Sequence, residues 1–160
     1  MKTLATLIGS IALFVIVSFQ TIPVKSVKIG KQTWTTENLN TGKFRNGDNI
    51  PEAKTNLEWE TAGNEKKPAW CYYNNDPANA KKYGKLYNWY AVKDARGLAP
   101  EGYHIASIEE WDALSSYLAN LDFQVFGIVS NEGKRMKALT GWSNKGNGNN
   151  KSGFNAFPGG

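Results

Sequence analysis

Histidine and cysteine are nearly missing from this 160-residue chain: His104 and Cys71 each stand alone. One cysteine excludes an intramolecular disulfide. With no CxxC pair and no Cys/His cluster, a conventional zinc site is excluded as well, and no cofactor is expected. Cys71 lies between Trp70 and Tyr72-Tyr73, a setting that reads as a small buried hydrophobe rather than a nucleophile. Concentrated charge is missing too. The net charge is +5, two of its lysines (Lys2 and Lys25) fall in the N-terminal segment, and the rest are scattered apart from the pairs Lys66–Lys67 and Lys81–Lys82. Nucleic-acid binders gather basic residues on one face, so a solvated surface is expected and no nucleic-acid partner.

Long apolar runs are absent but for one. After Lys2 the chain is largely apolar from Leu4 to Phe19. A basic start followed by a short apolar core predicts a signal peptide over residues 1–26, cut after Ser18 or Ser26, with an uncleaved N-terminal anchor as the alternative. The run falls short of the roughly 20 residues a span requires. No cysteine precedes Cys71, which gives no support to a lipid anchor. The protein is therefore expected to be secreted or displayed at the cell surface, touching membrane only through that segment.

What the chain does contain is aromatic side chains and glycine: six Trp, seven Tyr, seven Phe and 16 Gly. That mixture suggests one α+β domain over 27–160, rich in loops. Val27, Ile29, Gln32 and Trp34 alternate about Gly30-Lys31 and predict a hairpin. Asn46-Gly47-Asp48 marks a turn. Leu57, Trp59 and Ala62 predict a short helix with Asn56 as its N-cap and Gly63 as its stop. "PAWCYYNN" predicts a strand. "KLY" enters a helix from about Asn88 to Ala95, ended by Gly97. The tail from 140 to 160 predicts a long structured loop anchored by Trp142, Phe154 and Phe157.

The stretch "GYHIASIEEW" (102–111) carries the lone histidine beside Ser107 and Glu110. Ser-x-x-Glu is a capping box, in which each residue's side chain accepts from the other's amide. Ile108, Trp111, Leu114, Leu118 and Leu121 then recur at helical spacing. Ser107 and Glu110 thus have a structural role, and His104 is expected to lock the corner entering the helix.

Four motifs in order, "IGKQTWTTENLN", "YGKLYNWYAV", "LAPEGYHIASIEEW" and "GWSN…SGFNAFPGG", resemble the Fibrobacter succinogenes major paralogous domain. The matching residues are Trp34 and Asn38; Tyr83, Gly84, Leu86, Tyr87 and Trp89; Pro100, Gly102, His104, Ser107, Glu110 and Trp111; then Gly141, Trp142, Gly153, Phe154, Pro158, Gly159 and Gly160. Tyr103 stands where the family usually has Trp, Ala106 where it often has Pro, and Ala99 where many members have Cys. The resemblance implies an exported bacterial domain of C-type-lectin-like or formylglycine-generating-enzyme-like fold: a small antiparallel sheet, two helices and long Gly/Asn/Trp-rich loops. The family domain normally continues past PGG, so the chain is expected to be truncated, its C-terminal strands missing.

The function expected is a non-catalytic surface or binding module for a carbohydrate or another envelope component. A truncated paralogue without function is the alternative. A formylglycine-generating type of oxidase needs a cysteine pair this chain lacks. A hydrolase built on Cys71 and His104 lacks a group to orient its base. Trp34, Trp89, Trp111 and Trp142 are expected in the core.

Overall fold

The computed structural model describes residues 24–126 and 131–159, without the side chains of 122–126. Gly160 and all but the last three residues of the predicted signal segment lie outside it. The alternation after Val24 folds as expected. Strands β1 (Ser26–Ile29) and β2 (Gln32–Thr35) pair antiparallel, Val27 opposite Trp34 and Ile29 opposite Gln32. The Lys25 carbonyl adds a rung by accepting the Thr36 amide. Gly30 makes the turn at φ +60°, and a Cβ there would lie 3.1 Å from the Tyr117 ring, so the tip can rest flat on that ring.

Helix α1 (Asn56–Asn64) is capped by Thr55 rather than Asn56. Thr55 is extended, its hydroxyl accepts the Glu58 amide, and the Glu58 carboxylate accepts the amides of Lys54 and Thr55. Threonine followed three residues later by glutamate is a second capping box, and it outcompetes Asn56 because it satisfies both partners. Gly63 does not stop the helix; the chain leaves after it, through Glu65 and a left-handed Lys66. Leu57 is 72% exposed, while Trp59 and Ala62 pack on Ala53, Ala69 and Cys71.

The aromatic strand is shorter than expected. Only Trp70–Cys71 (β3) pairs, because Asn74 and Asn75 turn left-handed in a 3-10 turn just beyond. A further turn leads to α2 (Ala80–Tyr83), a helix the sequence pattern does not announce. Strand β4 (Leu86–Tyr87) returns antiparallel to β3. Helix α3 is only Trp89–Val92 and ends at Lys93, short of Gly97, whose amide instead closes a turn on Asp94.

Helix α4 (Ile108–Phe126) begins at the expected box: the Ser107 amide donates to Glu110 Oε2 at 2.8 Å, and the Glu110 amide to Ser107 Oγ at 3.3 Å. Leu114 and Leu118 are fully buried against Ile29, with Val27, Trp34, Leu121, Met136 and Phe154 around them. The start of the stripe is not buried. Ile108 is 76% exposed, because the hairpin reaches the helix only from Glu110 onward, and Trp111 is 44% exposed although Trp34 and Phe154 pack on its ring. A last helix, α5 (Glu132–Met136), also went unsignalled. The tail then folds as a structured loop: Lys137 bridges Ala156, and the Trp142 indole donates to the Ala156 carbonyl.

The architecture is α+β as expected, with two two-stranded sheets in place of one and more than two helices among the described residues. A second core of Phe44, Ile50, Trp70, Ala91 and Leu98 lies under the loops. Among the described residues no helix is long and apolar enough to cross a membrane.

Candidate functional site

The hairpin and the capped corner face each other across an open cleft of about 720 Å³. One wall is the turn and strand from Lys31 to Thr35. The other is the segment from Gly102 to Ala106, with Glu110 and Trp111 at the helix start. Three rings meet there: Trp34 and Trp111 have centroids 4.7 Å apart at 43°, and Phe154 lies 5.6 and 5.7 Å from them. Such tilted contacts add to the burial of the rings. The cluster joins the first, third and fourth sequence motifs, which are far apart in the chain.

Local structure fixes each wall. Trp34 points to α4 because it shares its face of the hairpin with Val27, Ile29 and Gln32, and the Gln32 amide group donates to the Glu110 carbonyl at 3.0 Å. The far wall has no ladder of its own. Arg45 holds it instead, its guanidinium donating to the carbonyls of Ala99, Pro100 and Tyr103. The Arg45 amide is itself anchored on Gly97.

His104 sits at the corner as expected, its Nε2 2.7 and 2.9 Å from the two oxygens of Glu110. The Glu110 carboxyl is held below its ordinary range, first by the Ser107 amide and then by His104. Both groups are thereby occupied with each other and with the helix end. Cys71 packs in a different core, and burial pushes its thiol up. The structure does not bring Cys71 to the cleft. Among the described residues no three His, Cys, Asp or Glu side chains gather to hold a metal.

The other signature residues serve the fold. Asn38 donates to the Tyr83 carbonyl. Gly84, at φ +69°, lets the chain pass the Leu39 carbonyl, which a Cβ would meet at 2.6 Å. Leu86 and Tyr87 form β4, and the Tyr87 hydroxyl bonds both the amide and the carbonyl of Thr41. Pro100 and Gly102 shape the turn before His104. Gly141 packs near Phe157 and Pro158, and Gly153 near Val27; Gly159 is exposed. Trp34 and Trp142 are partly buried rather than core residues, Trp34 packing against the Leu114–Leu118 core. Trp111 is exposed, and Trp89, at 65% exposed, lies on the surface, because its helix is one turn long with Ala91 as its inward residue.

Sequence reasoning passed over two residues and one buried atom. Asn88 caps α3 and also accepts the Ala69 amide while donating to the Lys67 carbonyl. Its position before a helical run was a readable cap signal. Arg45 left no such signal, since its partners are carbonyls remote in sequence. The atom is Trp34 Nε1, which is buried and has no hydrogen-bond partner among the described residues.

No curated protein and no solved structure matches this chain. A family model does, over residues 27–160, the whole stretch that builds the hairpin, the capped corner and the anchored tail. The chain belongs to the Fibrobacter succinogenes major domain family.

Proposed function

We propose that this chain is an exported, non-catalytic binding module and that the aromatic cleft holds a component of the cell envelope. The observation carrying this reading is Trp111, which contributes to a three-ring cluster and lines the cleft, yet is 44% exposed. A large ring fixed by its neighbours and open on one side offers contact area at little entropic cost. His104 and Glu110, which line the cleft, are engaged in holding the helix start, which favours binding over chemistry. The basic, apolar N-terminus supports export.

Tryptophan emission tests it. Titration with envelope fractions, separately polysaccharide, peptidoglycan and protein, is expected to shift the emission of the native chain, and Trp111→Ala is expected to abolish that shift. A native chain that responds to none of the fractions sinks the reading.

A further inference from the structure

The cleft has a property beyond its rings: a strand edge that is unpaired among the described residues. In the hairpin, Ile29 and Gln32 flank a two-residue turn, so they form a hydrogen-bonded pair; Val27 with Trp34 and Lys25 with Thr36 follow at alternate positions. The intervening residues Thr33 and Thr35 therefore aim their amides and carbonyls away from β1. Among the described residues none of these four groups has a partner. Both threonines line the cleft, whereas no residue of β1 does. Across from them, the amides and carbonyls of His104, Ile105 and Ala106 are also without partners among the described residues. A donor and an acceptor repeating every second residue along an extended chain is the pattern that another extended chain satisfies. A sugar ring, with hydroxyls at shorter and irregular spacing, does not match it.

We propose that the cleft takes an extended polypeptide strand, paired through its main chain with this edge of β2 and carrying an acidic residue near Lys31. This deepens the reading above and rests on it. The apolar side chains Trp111, Phe154 and Ile105 line the cleft beside that edge and offer contacts to alternate side chains of the incoming strand. Charge selects the partner. The acidic and basic side chains lining the cleft are Lys31, His104 and Glu110; the latter two pair with each other, and among the described residues Lys31 has no acidic partner. Lys28, also without one, stands nearby on the hairpin. Positive charge beside a strand edge opposes pairing with basic strands and favours acidic ones.

The experiment uses synthetic peptides of alternating valine and threonine with one glutamate, the same peptides N-methylated at alternate amides, and a lysine-for-glutamate version. Amide hydrogen exchange of the full chain is followed residue by residue. The glutamate peptide is expected to slow exchange at Thr33 and Thr35. N-methylation is expected to weaken binding roughly tenfold or more, because it removes main-chain pairing and keeps the side chains. The lysine version is expected to bind more weakly, and Lys31→Glu to reverse that order. Thr35→Pro removes an edge donor at a position where a strand tolerates proline, and is expected to weaken binding without changing Tm. Equal binding of the N-methylated peptide would overturn the proposal, as would unchanged exchange at both threonines. Self-association of the chain that protects the same amides overturns it by giving the edge to a second copy. An oligosaccharide that shifts Trp111 emission while leaving the threonine amides untouched overturns it too, yet leaves the cleft's binding role standing. Silence of the cleft toward every envelope fraction defeats that prior reading instead.

Discussion

Glu110 Oε2 accepts the Ser107 amide at 2.8 Å while the same carboxylate lies 2.7 Å from Nε2 of His104. One side chain thus closes a helix end and fixes the lone histidine.

Because the folded Glu110 carboxyl is held below its ordinary value of 4.5, its contribution is fully present above that value. It is lost as pH falls below 4.5 toward the folded value. Thermal melts from pH 7 down to pH 3 are expected to show a shallower acid decline for Glu110→Gln than for the native chain. An identical decline in both would mean that the carboxylate does not stabilise this corner.

Ser107→Ala deletes the other half of the box. Loss of an N-cap costs about 1 kcal/mol, so Tm is expected to fall by roughly 3 °C. The effect is confined to stability, and emission from Trp111 keeps its native maximum.

Two glycines make opposite predictions. At Gly63, within α1, an added Cβ meets nothing within 4 Å, and alanine is expected to stabilise by about 0.5 kcal/mol. At Gly84 the same methyl would lie 2.6 Å from the Leu39 carbonyl on a left-handed backbone. Gly84→Ala is expected to destabilise by about 3 kcal/mol or to prevent folding. Denaturant midpoints of the two variants check both signs.

Phe154 ties the tail loop to the hairpin and α4 through Trp34 and Trp111. Phe154→Ala is expected to cost about 2 kcal/mol, below the range for a fully enclosed ring because Phe154 is only partly buried. Faster amide exchange across residues 141–156 would accompany the loss; exchange unchanged there would show that the loop is held by other contacts.

Cys71 is buried and its thiol is pushed up by desolvation, so a thiol reagent is expected to react only after denaturant unfolds the chain. Rapid labelling of the native protein would contradict the packing described for its core.

Much of this fold was legible wherever a short local rule operates. The hairpin follows from alternation around Gly30-Lys31, and the start of α4 follows from Ser107 and Glu110. The capping rule was equally available at Thr55 and Glu58, where Asn56 drew the reading one residue too far. What local rules miss is which part of a face is covered. Ile108, Trp111 and Trp89 all fit an apolar helical pattern, yet their exposure depends on how far a neighbouring element reaches. The helices Ala80–Tyr83 and Glu132–Met136 are too short to show a period at all. The cleft was half-visible: its motifs were recognised separately, while the edge formed by Thr33 and Thr35 exists only once the pairing register is fixed.

The hold of Arg45 on Ala99, Pro100 and Tyr103 makes the two sides of the cleft mechanically unlike. The β2 side is stitched into a ladder and seated on a helix, so it behaves as an anvil. The 102–106 side is held by side chains instead, the Arg45 guanidinium at its start and Glu110 at His104. The cleft thus sets a wall built on main-chain pairing against one held through side chains, those of Arg45 and of the His104–Glu110 pair.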